Sequence, residues 1–185
     1  MQQRSLATFE KILAAAEALV LRDGAGSLTL EGVATEARVS KGGVQHHFRS
    51  KEALIAALVS RRLEMLEADT KKEEEALAGQ PQAALRAMIR NGASQYKTDT
   101  GFPAALLLAA LQNSDSLQEI RRVLAAKHQQ VKAESSRPAE ASMLIFACLG
   151  LLIARTLGFS SVTDEEACDV FIAAERLASR SDLDA

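Results

Sequence analysis

The sequence predicts an all-α protein of about nine helices, on three observations. Alanine and leucine number 34 and 25, against 24 valine, isoleucine and threonine together, so good helix formers outnumber the β-branched residues that favour strands. Only three prolines interrupt 185 residues. Apolar residues recur at three- and four-residue spacing along most of the chain, the period of one helix face. With 48% hydrophobic and 25% charged residues, the composition is that of one globular domain or of two small modules sharing a core.

The elements follow in order. Phe9, Ile12, Leu13, Ala16, Leu19 and Val20 form the stripe of a first helix, which Arg22-Asp23-Gly24 stops. Thr29 caps a short helix through Ala37. Arg38-Val39-Ser40 is a turn, and Ser40 caps a second short helix ending near His47. Ser50 caps a long fourth helix with Leu54, Ile55, Leu58, Val59 and Leu66 on its apolar side; it runs into the charged stretch 69–75 and stops before Gly79. A fifth spans 81–97 with Pro81 in its first turn, and a short, almost wholly apolar one spans 102–112. Residues 116–134 carry Leu117, Ile120, Leu124 and Val131 on one side. The most apolar segment, 137–158, reads as a buried helix, since Met143 to Phe159 is slightly short of a membrane span and contains Arg155. A last helix over 163–179 opens with the capping box Thr163-Asp-Glu-Glu166.

Several function classes are unsupported. Cys148 and Cys168 lie in apolar helical surroundings without metal-ligand spacing and without a neighbouring base, so they read as small hydrophobes. The adjacent His46 and His47 point about 100° apart on a helix and do not share one ion easily. No phosphate loop, nucleophile elbow or paired-carboxylate pattern is present, so no enzyme, cofactor or metal is expected. The N-terminus lacks a signal-peptide pattern, and the expected location is the cytoplasm, with no membrane partner.

The formal charge of −2 speaks against nucleic acid until it is divided. Residues 1–62 hold nine basic and six acidic side chains, a balance of +3; the remainder holds 13 and 18, a balance of −5. The basic surplus coincides with the short-helix, turn, short-helix pattern. There Val33, Ala34, Ala37, Val39, Val44 and Phe48 are the apolar contacts that hold two short helices at a steep angle, a helix-turn-helix whose second helix presents its N-terminal residues to the major groove. Gly42 and Gly43 are poor helix formers, and close approach to DNA or simple tolerance at a helix start explains them equally well.

Arg4, Ile12-Leu13-x-Ala15-Ala16, Gly24, Thr29, Val33-Ala34, Val39-Ser40-Lys41-Gly42, His47-Phe48 and Ser50-Lys51-Glu52-Ala53-Leu54 together resemble the TetR family of transcriptional repressors. The detailed resemblance covers the first 55–60 residues; beyond them only helix number and order are similar. It implies a homodimer with an N-terminal DNA-binding head, here 1–50, and a regulatory ligand-binding and dimerisation domain, here 51–185, joined by the helix from Lys51. It also implies a palindromic operator and release by a small effector, apolar or amphipathic to judge from 102–112. Two residues depart from the family pattern: Arg38 stands where glycine is usual and Gln45 where tyrosine is usual. Gln45 can read adenine through its amide.

By position in the motif, Ser40, Lys41, Gly43, Gln45 and His46 face DNA, and Thr29 and Lys51 clamp its backbone at two helix N-termini. Capping alone also accounts for Thr29 and Ser40, and His47 serves equally well as a DNA contact or a helix-end residue. Candidate ligand contacts are Met88, Asn91, Gln95, Tyr96, Phe102, Leu106, Met143 and Phe146, against a competing reading as core. For the dimer seam, the small residues Ala147, Gly150 and Ala154 share one helix face, and Val170, Phe171 and Ala174 lie on the last helix. A constitutive DNA-binding protein and a helical interaction module remain the alternatives.

Overall fold

The computed structural model describes residues 2–98, 110, 113–158 and 161–180. Among them are eight α-helices and no strand: α1 Gln2–Asp23, α2 Leu30–Glu36, α3 Lys41–His47, α4 Lys51–Ala76, α5 Ala83–Thr98, α6 Ser114–Glu134, α7 Pro138–Leu157 and α8 Asp164–Ala178, with one 3-10 turn at Ala25–Ser27. The expected helix over 102–112 lies outside the described residues apart from Ala110, which is fully buried.

Two compact units divide the chain, one comprising the described residues of 1–62 and 100–120, the other those of 63–99 and 121–185. The first therefore takes in the opening turns of α4 as well as the 1–50 head. Its core is the α1 stripe (Ile12, Leu13, Ala16, Val20) closed by Leu28, Val33, Val44 and Phe48 and by Leu54 and Leu58 of α4. Phe9 stacks on Phe48 with ring centroids 5.3 Å apart. Asn113 Nδ2 donates to the Glu52 carbonyl at 3.2 Å, while its Oδ1 accepts from the N–H groups of Asp115 and Ser116. That side chain caps α6, two residues before the start read from sequence.

In the second unit α5 packs against α7 and α8, and these two against each other. Leu85, Ile89, Val131, Leu144, Ile145, Phe171 and Ala174 form its core. Polar clamps fix the pairs: Arg86 and Arg90 both donate to Glu175 Oε1, at 2.9 and 2.8 Å, tying α5 to α8. The capping box of α8 is present, with Thr163 Oγ1 accepting from the Glu166 N–H and Glu166 Oε2 accepting from the Thr163 N–H. Gly158, at φ 69, ends α7 in the left-handed conformation, where glycine carries no Cβ to clash. Helix α5 begins two residues later than read, because Gln82 adopts φ 51 and leaves Pro81 in the preceding turn.

The expectation of a buried α7 needs correction. Only 22% of its apolar span Pro138–Arg155 is buried within the chain, although the span is long and apolar enough to cross a membrane by length and composition. The reason is that α7 is apolar on more than one face. Ala141, Leu144, Ile145 and Cys148 enter the core, while Met143 and Phe146 are each 59% exposed, and Ala147 and Gly150 are exposed with them.

Candidate DNA interface and effector cavity

The helix-turn-helix is assembled by its caps. Thr29 Oγ1 accepts from the Gly32 N–H at 3.0 Å and Ser40 Oγ from the Gly43 N–H at 3.0 Å, so each short helix has one of its orphan donors satisfied. At Gly32 and Gly43 a Cβ would lie 3.1 and 3.2 Å from the capping oxygens, which gives those glycines a local reason unconnected with DNA. A Cβ at Gly42 would meet nothing, and Gly42 is exposed where Gly43 is half-buried. Gly43 thus has a local reason to lack a Cβ, and Gly42 has none.

Between the helices the chain closes a paired hydrogen-bond motif: the Arg38 N–H donates to the Thr35 carbonyl at 3.2 Å and the Val39 N–H to the Ala34 carbonyl at 3.0 Å. The motif places Arg38 at φ 52, a conformation glycine adopts freely and an L side chain at a cost of roughly 1 kcal/mol. The turn thus retains the geometry of a glycine turn with arginine in it.

Ser40, Lys41, Gln45 and His46 are exposed together on α3 and at its cap, as is Thr29 at the start of α2. Lys41 Nζ lies 3.5 Å from Glu31 Oε2. Two of the expected DNA contacts have internal work. Lys51 Nζ donates to the Gly26 carbonyl at 2.8 Å, which ties α4 to the 3-10 turn. His47 is half-buried in an aromatic cluster, 5.9 Å from the Phe9 ring centroid in an edge contact.

The second unit holds a cavity of about 370 Å³ between α4, α5, α6 and α7, within the range of small-molecule sites. Its wall is mostly apolar, with Leu63, Leu66, Met88, Val123, Leu149 and Leu152, and Cys148 also lines it. Thr70, Asn91 and Gln95 form a polar strip. Asn91 Nδ2 donates to Thr70 Oγ1 at 2.6 Å and to the Leu66 carbonyl at 3.2 Å, and Gln95 Nε2 donates to Asn91 Oδ1 at 3.1 Å. Glu67, Arg122 and Lys127 bring charge to the lining, and Lys127 is paired with Glu74 at 2.8 Å. Burial pushes the Cys148 thiol up to about 11, so it stays protonated at neutral pH.

Of the candidate ligand contacts, Met88, Asn91 and Gln95 line this cavity. Tyr96 does not: it is 5% exposed, edge-on to Phe171 at 5.7 Å and beneath the Arg155 guanidinium at 4.3 Å. Met143 and Phe146 do not either, since they sit on the outward face of α7. Phe102 and Leu106 lie outside the described residues. The wall contributed by α4 and α6 was missed; spacing of Leu63, Leu66 and Thr70 at i, i+3 and i+7 marks a face but not what it faces.

The proposed seam residues divide similarly. Ala147, Gly150 and Val170 are exposed and Ala154 is half-buried, but Phe171 and Ala174 are buried in their own chain and are not free to meet another. On α8 the large exposed apolar side chains are Val170, Ile172 and Leu177.

Comparison with known proteins agrees with this architecture. Residues 12–58 match the family model described as bacterial regulatory proteins of the tetR family, and residues 82–179, more than half the chain, match the tetracyclin repressor-like C-terminal domain. No curated protein sequence matches the chain. A transcriptional regulator from Rhodococcus sp. Rha1 is similar in structure, with TM-score 0.71 and 22% identity over 91% of this chain and 94% of that one. A TetR-family member from Streptomyces coelicolor A3 superposes with TM-score 0.66 and 24% identity over 90% and 97%. The multidrug binding protein EbrR, solved with ethidium, gives TM-score 0.63 and 19% identity over 90% and 97%. With both of its units matched, this chain belongs to the TetR family and is a DNA-binding transcriptional regulator, not an enzyme.

Proposed function

We propose that the chain is a cytoplasmic, homodimeric repressor that occupies a palindromic operator and leaves it when a small amphipathic molecule fills the cavity of the second unit. The observation that carries this reading is the cavity itself, about 370 Å³, mostly apolar with one polar strip. Its occupant has an apolar body and one group able to bond the polar strip of Thr70, Asn91 and Gln95. The similar structures of EbrR with ethidium and with malachite green, and of SmeT with triclosan, support that ligand class.

The switch is a population shift. Helix α4 runs unbroken from Lys51, at the head, to the Leu63–Thr70 stretch that walls the cavity. An occupant that prefers one position of that wall biases a helix whose Leu54 and Leu58 belong to the core of the head. Two heads read successive major grooves only when about 34–36 Å apart, so a small change in their separation lowers operator affinity. The outward apolar face of α7 (Met143, Phe146, Ala147, Gly150), with Val170 and Ile172 of α8, supports the second copy as partner.

Selection of duplexes from a random pool by the full chain, followed by binding titrations with ethidium, malachite green or triclosan, tests the reading. Enrichment of a palindrome whose affinity falls with one of these probes is expected. No enriched palindrome refutes the repressor, and a palindrome indifferent to every molecule that enters the cavity refutes the switch.

A further inference from the structure

Arg38 combines three properties found together nowhere else among the described residues of the head. Its backbone stands at φ 52, a conformation that disfavours any L side chain. Its side chain is exposed and has no hydrogen bond or ion pair among the described residues. And it sits on the turn two residues before Ser40, the cap of α3.

The neighbouring charges make the lack of a partner informative. The acidic residues of α2 are Glu31 and Glu36, and both are engaged by other cations, Glu31 by Lys41 at 3.5 Å and Glu36 by Arg22 at 3.2 Å. Lys51 is held by the Gly26 carbonyl. Arg38 is thus a guanidinium kept at a strained position without an internal counterion to keep it there. The turn's two hydrogen bonds account for the positive φ but not for an arginine there, and a guanidinium with no partner of its own points to a contact outside the chain. When the first turn of α3 enters the major groove, the Cα of Arg38 lies within about 7 Å of that of Ser40, so its long side chain reaches the phosphates that border the groove. A planar guanidinium with five donors meets a phosphate bidentately, which a glycine at this turn cannot do.

The geometry assigns Arg38 as a DNA-backbone contact of this protein, bonding one phosphate per half-site and adding affinity without sequence preference. The assignment rests on the DNA-reading function proposed above. Its test compares the wild-type chain with Arg38→Lys, Arg38→Gln and Arg38→Gly on a duplex that the wild type recovers from a random pool, over a series of KCl concentrations. Because the phosphate contact carries charge and no base information, Arg38→Gln and Arg38→Gly should each reduce the slope of log affinity against log salt by about 0.9 per head. Arg38→Lys should keep most of the slope, and all variants should select the same base sequence. Melting temperature separates the two effects: Arg38→Gly, which relieves the backbone, should melt no lower than the wild type while binding more weakly. An Arg38→Gly protein with the wild-type affinity and salt slope overturns the assignment. So does an Arg38→Gln protein that selects a different base, which would make Arg38 a base reader. A wild-type chain that recovers no duplex overturns both this assignment and the function beneath it.

Discussion

Asn91 of α5 donates to the hydroxyl of Thr70 of α4 at 2.6 Å, and the same amide nitrogen reaches the Leu66 carbonyl, so one side chain spans two walls of the cavity. Both residues are buried. Asn91→Ala should therefore lower unfolding free energy by roughly 1–3 kcal/mol, through lost hydrogen bonds and a group left unsatisfied, in urea titration. It should also remove the Gln95 Nε2 bond to Asn91 Oδ1 and weaken binding of whichever probe enters the cavity. Unchanged stability would show that the strip is solvated rather than structural.

Lys51 and Gln45 should separate when mutated. On the proposed role of Lys51 as a backbone clamp, Lys51→Ala should lower the salt slope by about 0.9 per head for every duplex. Because Lys51 also holds the Gly26 carbonyl, a small loss of thermal stability should accompany it. Gln45→Ala should relax base preference at one position per half-site, by about 1–3 kcal/mol of discrimination, and leave the salt slope alone. Equal, sequence-independent losses from both variants would refute this division.

Phe146 is the most direct probe of the proposed dimer. It is 59% exposed and edge-on to His128 at 5.4 Å, outside the core. Phe146→Asp should leave the fold intact, shift sedimentation from dimer to monomer, and abolish tight operator binding, since one head binds weakly alone. A variant that remains dimeric would place the interface elsewhere.

The thiols give a readout of the cavity. With its ionisation raised to about 11 by burial, Cys148 should react with iodoacetamide far more slowly at pH 8 than a free thiol, and a bound probe should slow it further. Peptide mass mapping resolves it from Cys168. Fast labelling of Cys148 without unfolding would mean that the cavity wall opens readily.

Acid should act on the start of α8. The N–H and hydroxyl of Thr163 both donate to Glu166, which holds that carboxyl below the usual carboxylate range. A carboxyl depressed on folding contributes stability above its unfolded value of about 4.3, and the contribution is lost as pH falls through the lower folded value. Glu166→Gln should therefore flatten the melting temperature between pH 5 and pH 3, and Thr163→Ala should cost about 1 kcal/mol at pH 7.

The fold and the head were legible because their signals are local. A cap is a contact three residues along the chain, and Thr29, Ser40, Ser50 and Thr163 all cap the helices they were expected to cap. The positive φ at Arg38 follows from a turn that needs it whatever residue stands there. The cavity was half legible: Asn91 and Gln95 stand out as polar residues four apart on an amphipathic helix, but their partners on α4 and α6 carry the same apolar spacing as any core face.

By itself, then, the amino-acid order determined eight of the helices, the caps Thr29, Ser40, Ser50 and Thr163, the helix-turn-helix and the basic head, all of which depend on neighbours within a turn or two. Only the tertiary structure decided which face of each helix turns inward. It set Tyr96 under Arg155 and Phe171 against α5 instead of at a seam, and turned Met143 and Phe146 away from the cavity. The physical reason is that α7 is apolar on more than one face. Hydrophobicity is non-directional, so the period of the pattern says that a residue avoids water and not which surface removes it.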